Sequence, residues 1–160
     1  MLTTINKKKF LKKIKKKKVL NKNYYRLHKS DKSKIQKVLI KINHNAYIAP
    51  HYHKKDEMLI ILEGLCGLVI FDSKGNKNDF YIISSEKNNK ENKYHYGYQI
   101  NANTYHTLVS LTKESVLLEI KNGPFNEKNN KFIPNWAPKA DANESKFFLE
   151  KLKLQLRENL

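Results

Sequence analysis

Pro50-His51-Tyr52-His53-Lys54-Lys55-Asp56-Glu57 is the stretch from which the rest of this 160-residue chain is read. Side chains two apart on a strand share a face, so His51 and His53 point the same way. A short turn over Lys54 to Asp56 then returns Glu57 beside them. Two imidazoles and a carboxylate on one wall suit a divalent transition metal, because imidazole binds iron, nickel, copper and zinc while the carboxylate compensates charge. Such sites usually take a fourth ligand, and His106, at the entry to an apolar strand after the turn Asn101 to Thr104, is the candidate.

Around this stretch the pattern is of short strands: 35–42, 46–53, 57–62, 65–71, 80–83, 94–100, 107–111 and 115–121, separated by polar turns such as 73–78 and the loop SSEKNNKENK at 84–93. Eight closely spaced strands without intervening helices predict a sandwich or barrel. Residues 122–139 read as an irregular segment in which Trp136, Phe132 and Phe125 clamp a barrel edge. A helix is expected over 143–158, with Phe148, Leu149, Leu152 and Leu156 as its buried stripe. Residues 3–20 carry Ile5, Phe10, Leu11, Ile14 and Val19 near helical spacing and predict an amphipathic N-terminal helix.

The net charge of +17 is lopsided, since residues 1–41 hold fifteen Lys, Arg26 and a single acid, Asp31. The remainder is nearly neutral. Lys outnumbers Arg 30 to 2, as an AT-rich genome would favour at exposed positions, and Arg is the preferred bidentate reader of guanine. A specific nucleic-acid module is therefore not expected; contact of the basic N-terminus with RNA or an anionic membrane is the remote alternative. No apolar run approaches the ~20 residues of a membrane span, and neither a signal-peptide core nor a disulfide framework is present, Cys66 being the one cysteine. A cytoplasmic location is expected, with Cys66 a small core residue.

Four further strings matter: Ala46 to His53, AYIAPHYH; Ile100 to Val109, INANTYHTLV; Glu119 to Phe125, EIKNGPF; and Lys131 to Pro138, KFIPNWAP. With H-x-H-x3-E-x6-G running from His51 to Gly64, they resemble the two metal-binding motifs of the cupin superfamily. In their order along residues 24–155 they are similar to the bacterial WbuC family of cupin-fold metalloproteins. The resemblance implies a mainly β fold, the double-stranded β-helix or jelly-roll barrel, here with an N-terminal amphipathic helix and a C-terminal helix. The expected organisation is a Lys-rich helical extension packed on the barrel (1–34), the barrel with its clamp segment (35–139) and the final helix (140–160).

This chain departs from the family pattern in placing Asn101 and Asn103 where it has Pro and Gly, Tyr105 for Trp, Ala46 for Ser and Gln99 for an expected acid. Asn tolerates the left-handed region best among non-glycine residues, so the turn before His106 can survive.

The metal ligands expected are thus His51, His53, Glu57 and His106, holding one divalent ion of iron, manganese, zinc or nickel. His28, His44 and His95 lack a carboxylate or His partner at strand spacing and are read as hydrogen-bonded or exposed. Tyr47, Tyr96, Tyr105 and Glu119 are expected at the mouth of the substrate cavity. Glu119 and Lys121 form either a substrate-facing pair or a salt bridge. Function then divides between a metal-dependent enzyme, isomerase-like on a sugar or nucleotide sugar of surface polysaccharide synthesis, and a non-catalytic metal- or sugar-sensing cupin. Iron-dependent oxygenase chemistry is compatible with the same ligands. The expected partner is a small sugar-like molecule, and a homodimer is admissible.

Overall fold

Leu65–Phe71 is apolar at every position except Gly67, which a strand tolerates when both of its faces are covered. Both are. The computed structural model describes residues 15–16, 22–85 and 94–160, and their strands are β1 (Lys15–Lys16), β2 (Lys22–Arg26), β3 (Ile35–Asn43), β4 (Glu57–Glu63), β5 (Leu65–Phe71), β6 (Lys77–Ser84), β7 (Gly97–Ile100), β8 (Tyr105–Ser110) and β9 (Glu114–Asn122), followed by helix α1 (Asn143–Arg157). Six strands form one sheet in the order β1-β2-β3-β9-β4-β7, and β6-β5-β8 form a second. Neighbouring strands in both sheets pair antiparallel.

The space between the sheets is filled by Ile40, Ile42, Leu59, Ile61 and Leu117 from the larger and Cys66, Leu68, Ile83 and Leu108 from the smaller. Alternation sends Val69 and Phe71 to the opposite face of β5, where they meet Leu149, Leu152 and Leu156 of α1. Gly67 lets the helix approach: a Cβ there would lie 2.5 Å from a Leu156 methyl. Gly64, at φ +90°, makes the tight turn between β4 and β5. One lysine of α1, Lys153, is buried, its ammonium 2.6 Å from a Glu150 carboxylate oxygen.

Four sequence expectations change. The helix expected over 3–20 lies mostly outside the described residues, and its two described members, Lys15 and Lys16, are strand, paired with Tyr24 and Asn23. Lys22–Arg26 is also strand; its polar composition hides an outer position beside β3 that pairing supplies. The stretch 46–53 is not a regular strand. It is held by isolated bridges, His51 to His106 and Tyr52 to Phe132, and Pro50 has no N–H to continue a ladder. The aromatic clamp comes apart: Trp136 packs on Phe71 and Tyr105 with its indole N–H on the Ser73 carbonyl, Phe132 stacks on Tyr52, and Phe125 lies under Arg26. Cys66 is in the core as expected, and burial pushes its thiol up to about 12.

Candidate metal centre

The backbones of His51 and His106 exchange both hydrogen bonds of an antiparallel bridge, at 3.0 and 2.8 Å, which sets their rings 4.5 Å apart. The Asn103 N–H donates to the His53 carbonyl at 2.7 Å, and the turn carrying it needs a left-handed residue, which Asn103 supplies at φ 63°. Glu57 opens β4, opposite Lys121 of β9. Four side chains drawn from three places in the chain therefore converge, and one ligand atom from each of His51, His53, Glu57 and His106 falls within 4.8 Å of the others. All four are buried, none more than 7% exposed.

The hydrogen bonds decide the tautomers. Nδ1 of His51 faces the Ala49 carbonyl at 2.8 Å, Nδ1 of His106 faces the Thr104 carbonyl at 2.9 Å, and Nδ1 of His53 faces the Asn130 carbonyl. A carbonyl only accepts, so each Nδ1 carries the hydrogen and each neutral ring leaves Nε2 bare. This is the outer support that metal-bound imidazoles commonly have. Burial first, then the nearby Lys131, His106 and His53, hold His51 well below the usual imidazole range; burial likewise lowers His53.

Glu57 completes the set. Burial would raise its carboxyl, but with a proton also on Nε2 of His106 the hydrogen bond from that ring and the charges of His106, His53 and Lys121 bring it down to about 2. Its Oε1 lies 2.7 Å from Nε2 of His106, and its Oε2 lies 3.3 Å from Nε2 of His53. Oε2 is buried without a hydrogen-bond partner among the described residues. Bare imidazole nitrogens against a carboxylate repel, so a cation between them, a proton or a metal ion, is what the arrangement calls for. The donor set fits a divalent transition metal.

A cavity of about 560 Å³ opens on His51 and His53, within the range of small-molecule sites. Its wall comes from β2, β3, β9 and the segment after β9 and is about equally polar and apolar in surface: Arg26, His28, Gln36, Glu119 and Lys121 line it together with Tyr24, Val38, Ile40 and Phe125. Glu119 holds Lys121 at 2.9 Å, and Lys121 also stands 3.7 Å from Glu57 Oε2. Burial alone would lower the Lys121 ammonium, yet Glu119 and Glu57 hold it above its ordinary value. A smaller cavity of about 190 Å³, lined by Lys54, Lys55, Lys121 and Asn126, also reaches His53.

Of the four pocket residues read from the sequence, the structure places Glu119 on the cavity wall, and the three tyrosines elsewhere. Tyr47 is buried on the helix side, its hydroxyl donating to the Pro138 carbonyl at 2.8 Å and its ring edge-on to Phe148. Tyr105 packs between Tyr52 and Trp136, and Tyr96 is half exposed ahead of β7. Tyr47 lies away from the cavity because the chain rotates between Ala49 and His51: Tyr47 and Ala49 face the helix layer, while His51 faces the cavity. Arg26 and Asp31, joined at 2.6 Å, were missed because β2 was missed; the alternation of Tyr24 and Arg26 is the signal that carries them.

The fold is that of the cupins. The oxalate decarboxylase of Lactobacillus farciminis, crystallised as a formate complex, superposes with a TM-score of 0.54 at 16% identity over 75% of this chain and 33% of that one. CapF, in a complex with the inhibitor 3-isopropenyl-tropolone, gives 0.59 at 13% identity over 76% and 33%. Protein SO0799 of Shewanella oneidensis gives 0.62 at 8% identity over 96% of both chains. This chain thus spans about a third of the length of the decarboxylase and of CapF. In sequence, a domain of unknown function, DUF6016, matches residues 9–83, and no curated protein matches. Among the described residues no helix is long and apolar enough to cross a membrane.

Proposed function

We propose that this chain is a metal-dependent cupin of the WbuC type, acting on a sugar or nucleotide sugar connected with bacterial surface polysaccharide, by isomerase-like proton transfer. The observation that carries the reading is the combination of three imidazoles with bare Nε2 atoms and a cavity of about 560 Å³, lined by both polar and apolar side chains, opening on two of them. His51, His53, Glu57 and His106 would hold the ion. When bound, it supplies a Lewis acid for a substrate oxygen.

The chain's own groups do the rest. Lys121, fixed as a cation by two carboxylates, is placed to meet negative charge developing on a substrate oxygen. Glu119, on the cavity wall beside it, is the carboxylate placed to take a proton from one carbon and return it to the next. Polar side chains around the cavity would orient hydroxyl groups, and a location in the cytoplasm fits such a substrate.

Metal analysis of the purified protein, followed by NMR of metal-loaded enzyme with reducing sugars and nucleotide sugars in D2O, tests the reading. Exchange of a carbon-bound hydrogen that is lost in Glu119→Gln supports it. Tight binding without exchange or product favours the non-catalytic, sensing reading, and binding of neither metal nor sugar removes both.

A further inference from the structure

His28 stands where the chain leaves β2, and its ring takes the place of a backbone partner. The Lys37 carbonyl accepts from the Leu27 N–H at 2.8 Å, and Nδ1 of His28 lies 3.0 Å from both the Lys37 N–H and the Lys37 carbonyl oxygen. Nδ1 accepts from that N–H in one tautomer and donates to that carbonyl in the other, so Nε2 is the ring's donor in the first and its acceptor in the second. Nε2 is buried and has no partner among the described residues, although His28 lines the same cavity as His51 and His53. The cavity wall therefore contains a polar ring nitrogen with no partner, and buried polar groups are nearly always paired.

The sheet register says how far this nitrogen is from the metal centre. Arg26 pairs with Val38, so His28 continues opposite Gln36; Gln36 pairs with Lys121, and Lys121 with Glu57. His28 is thus three strand spacings from Glu57, roughly 14 Å between backbones at about 4.8 Å per strand. A ligand reaching both is longer than one sugar ring.

Charge narrows the ligand further. The cavity wall has three cationic side chains, Arg26, Lys121 and Lys131, and three anionic ones, Asp31, Glu119 and Glu127. Arg26 is joined to Asp31 and Lys121 to Glu119. A diphosphate needs a surplus of positive charge, which these side chains, apart from the metal ion itself, do not offer. Arg26 also lies over the Phe125 ring at 5.4 Å, giving the far end a flat, partly apolar wall.

We infer that the cavity has a second station, at His28 and Arg26, which receives the second ring of an uncharged, disaccharide-sized ligand whose first ring lies at the metal centre, with His28 Nε2 hydrogen-bonded to a hydroxyl of that second ring. The inference rests on the sugar-binding reading above and narrows it away from nucleotide sugars.

Calorimetric titration of the metal-loaded full chain with glucose, maltose, cellobiose, lactose and UDP-glucose tests it. At least one disaccharide should bind tenfold or more tightly than both glucose and UDP-glucose. His28→Ala should cut that affinity about tenfold, the usual weight of one buried hydrogen bond, leave glucose affinity unchanged, and be partly rescued by His28→Gln, whose amide can donate or accept. With wild-type protein carrying 15N-histidine, the disaccharide should shift the His28 Nε2 resonance and glucose should not. This second measurement stands even where a variant fails to fold. Equal affinity for mono- and disaccharides, tightest binding of UDP-glucose, an unmoved His28 resonance, or equal weakening of every sugar by His28→Ala overturns the second station while leaving the sugar reading in place. If metal binds but none of these sugars does, the sugar reading fails and the second station with it.

Discussion

Nε2 of His106 lies 2.7 Å from Oε1 of Glu57, while Nδ1 of the same ring donates to the Thr104 carbonyl at 2.9 Å. One ring therefore has its tautomer chosen on one side and its acceptor atom aimed at a carboxylate on the other. With His51 and His53 held in the same way by Ala49 and Asn130, the arrangement is complete as a ligand set and unsatisfied without a cation.

About one divalent metal ion per chain is expected by elemental analysis. His51→Ala and His53→Ala should each strip it and leave the far-ultraviolet circular dichroism unchanged, because the inter-sheet core of Ile42, Leu59, Leu68 and Leu117 does not include the site. Chelation should lower the melting temperature by roughly 5–10 °C at metal concentrations about a hundredfold above Kd. Full metal content in both variants would show that the ion is held elsewhere.

Acid should destabilise the metal-free protein in two stages with the same sign. His51 is held below its ordinary value, so on acidification through about 6.5 the unfolded chain takes up a proton there that the folded one resists. Glu57 titrates at about 2 when folded, against an ordinary 4.5, so its contribution is present above 4.5 and is lost as the pH falls toward 2. Thermal melts of the chelated protein between pH 7.5 and 4 should show a falling melting temperature, and His51→Gln should shrink the upper stage, to which His53, lowered by burial in the same way, also contributes. A melting temperature that rises on acidification would contradict the burial of neutral imidazoles.

Gly67→Val should be destabilising by about 1–3 kcal/mol, the range for forcing extra carbon into a packed layer. The added side chain would meet Leu156 from 2.5 Å outward and lift α1 from β5. Urea denaturation checks the loss, and metal content should be unchanged, since α1 supplies none of the four ligand residues.

Tyr47→Phe and Glu119→Gln should separate stability from function. The first removes a buried hydroxyl from the Pro138 carbonyl and should cost about 1 kcal/mol with ligand binding intact. The second alters the cavity wall and should weaken or abolish sugar binding or turnover with little change in melting temperature. Loss of ligand binding in Tyr47→Phe would return that ring to the cavity.

The basic N-terminus should bind polyanions weakly and without sequence preference, with affinity falling steeply between low and physiological salt as counterions are released. Filter binding with unrelated RNA and DNA sequences measures it; submicromolar, sequence-selective binding at physiological salt would overturn the expectation.

Strand alternation, turn chemistry and the spacing of His51, His53, Glu57 and His106 are local properties, and local properties were legible: β5 was read to the residue, the final helix to within one, and Asn103 adopts the left-handed turn its side chain tolerates. What lay beyond the sequence depends on partners distant along the chain. Lys22–Arg26 is strand because β3 offers it a ladder, and Tyr47 turns to the helix because the backbone rotates before His51 to reach the bridge with His106. The cavity wall is likewise a product of register, since Gln36, Lys121 and Glu57 come abreast through pairings between residues 85 and 64 positions apart. Residue type determined which atoms could bind a cation; only the closure of β3 and β4 on β9 decided which other side chains would face it, because a strand's neighbours are chosen by long-range packing and not by its own sequence.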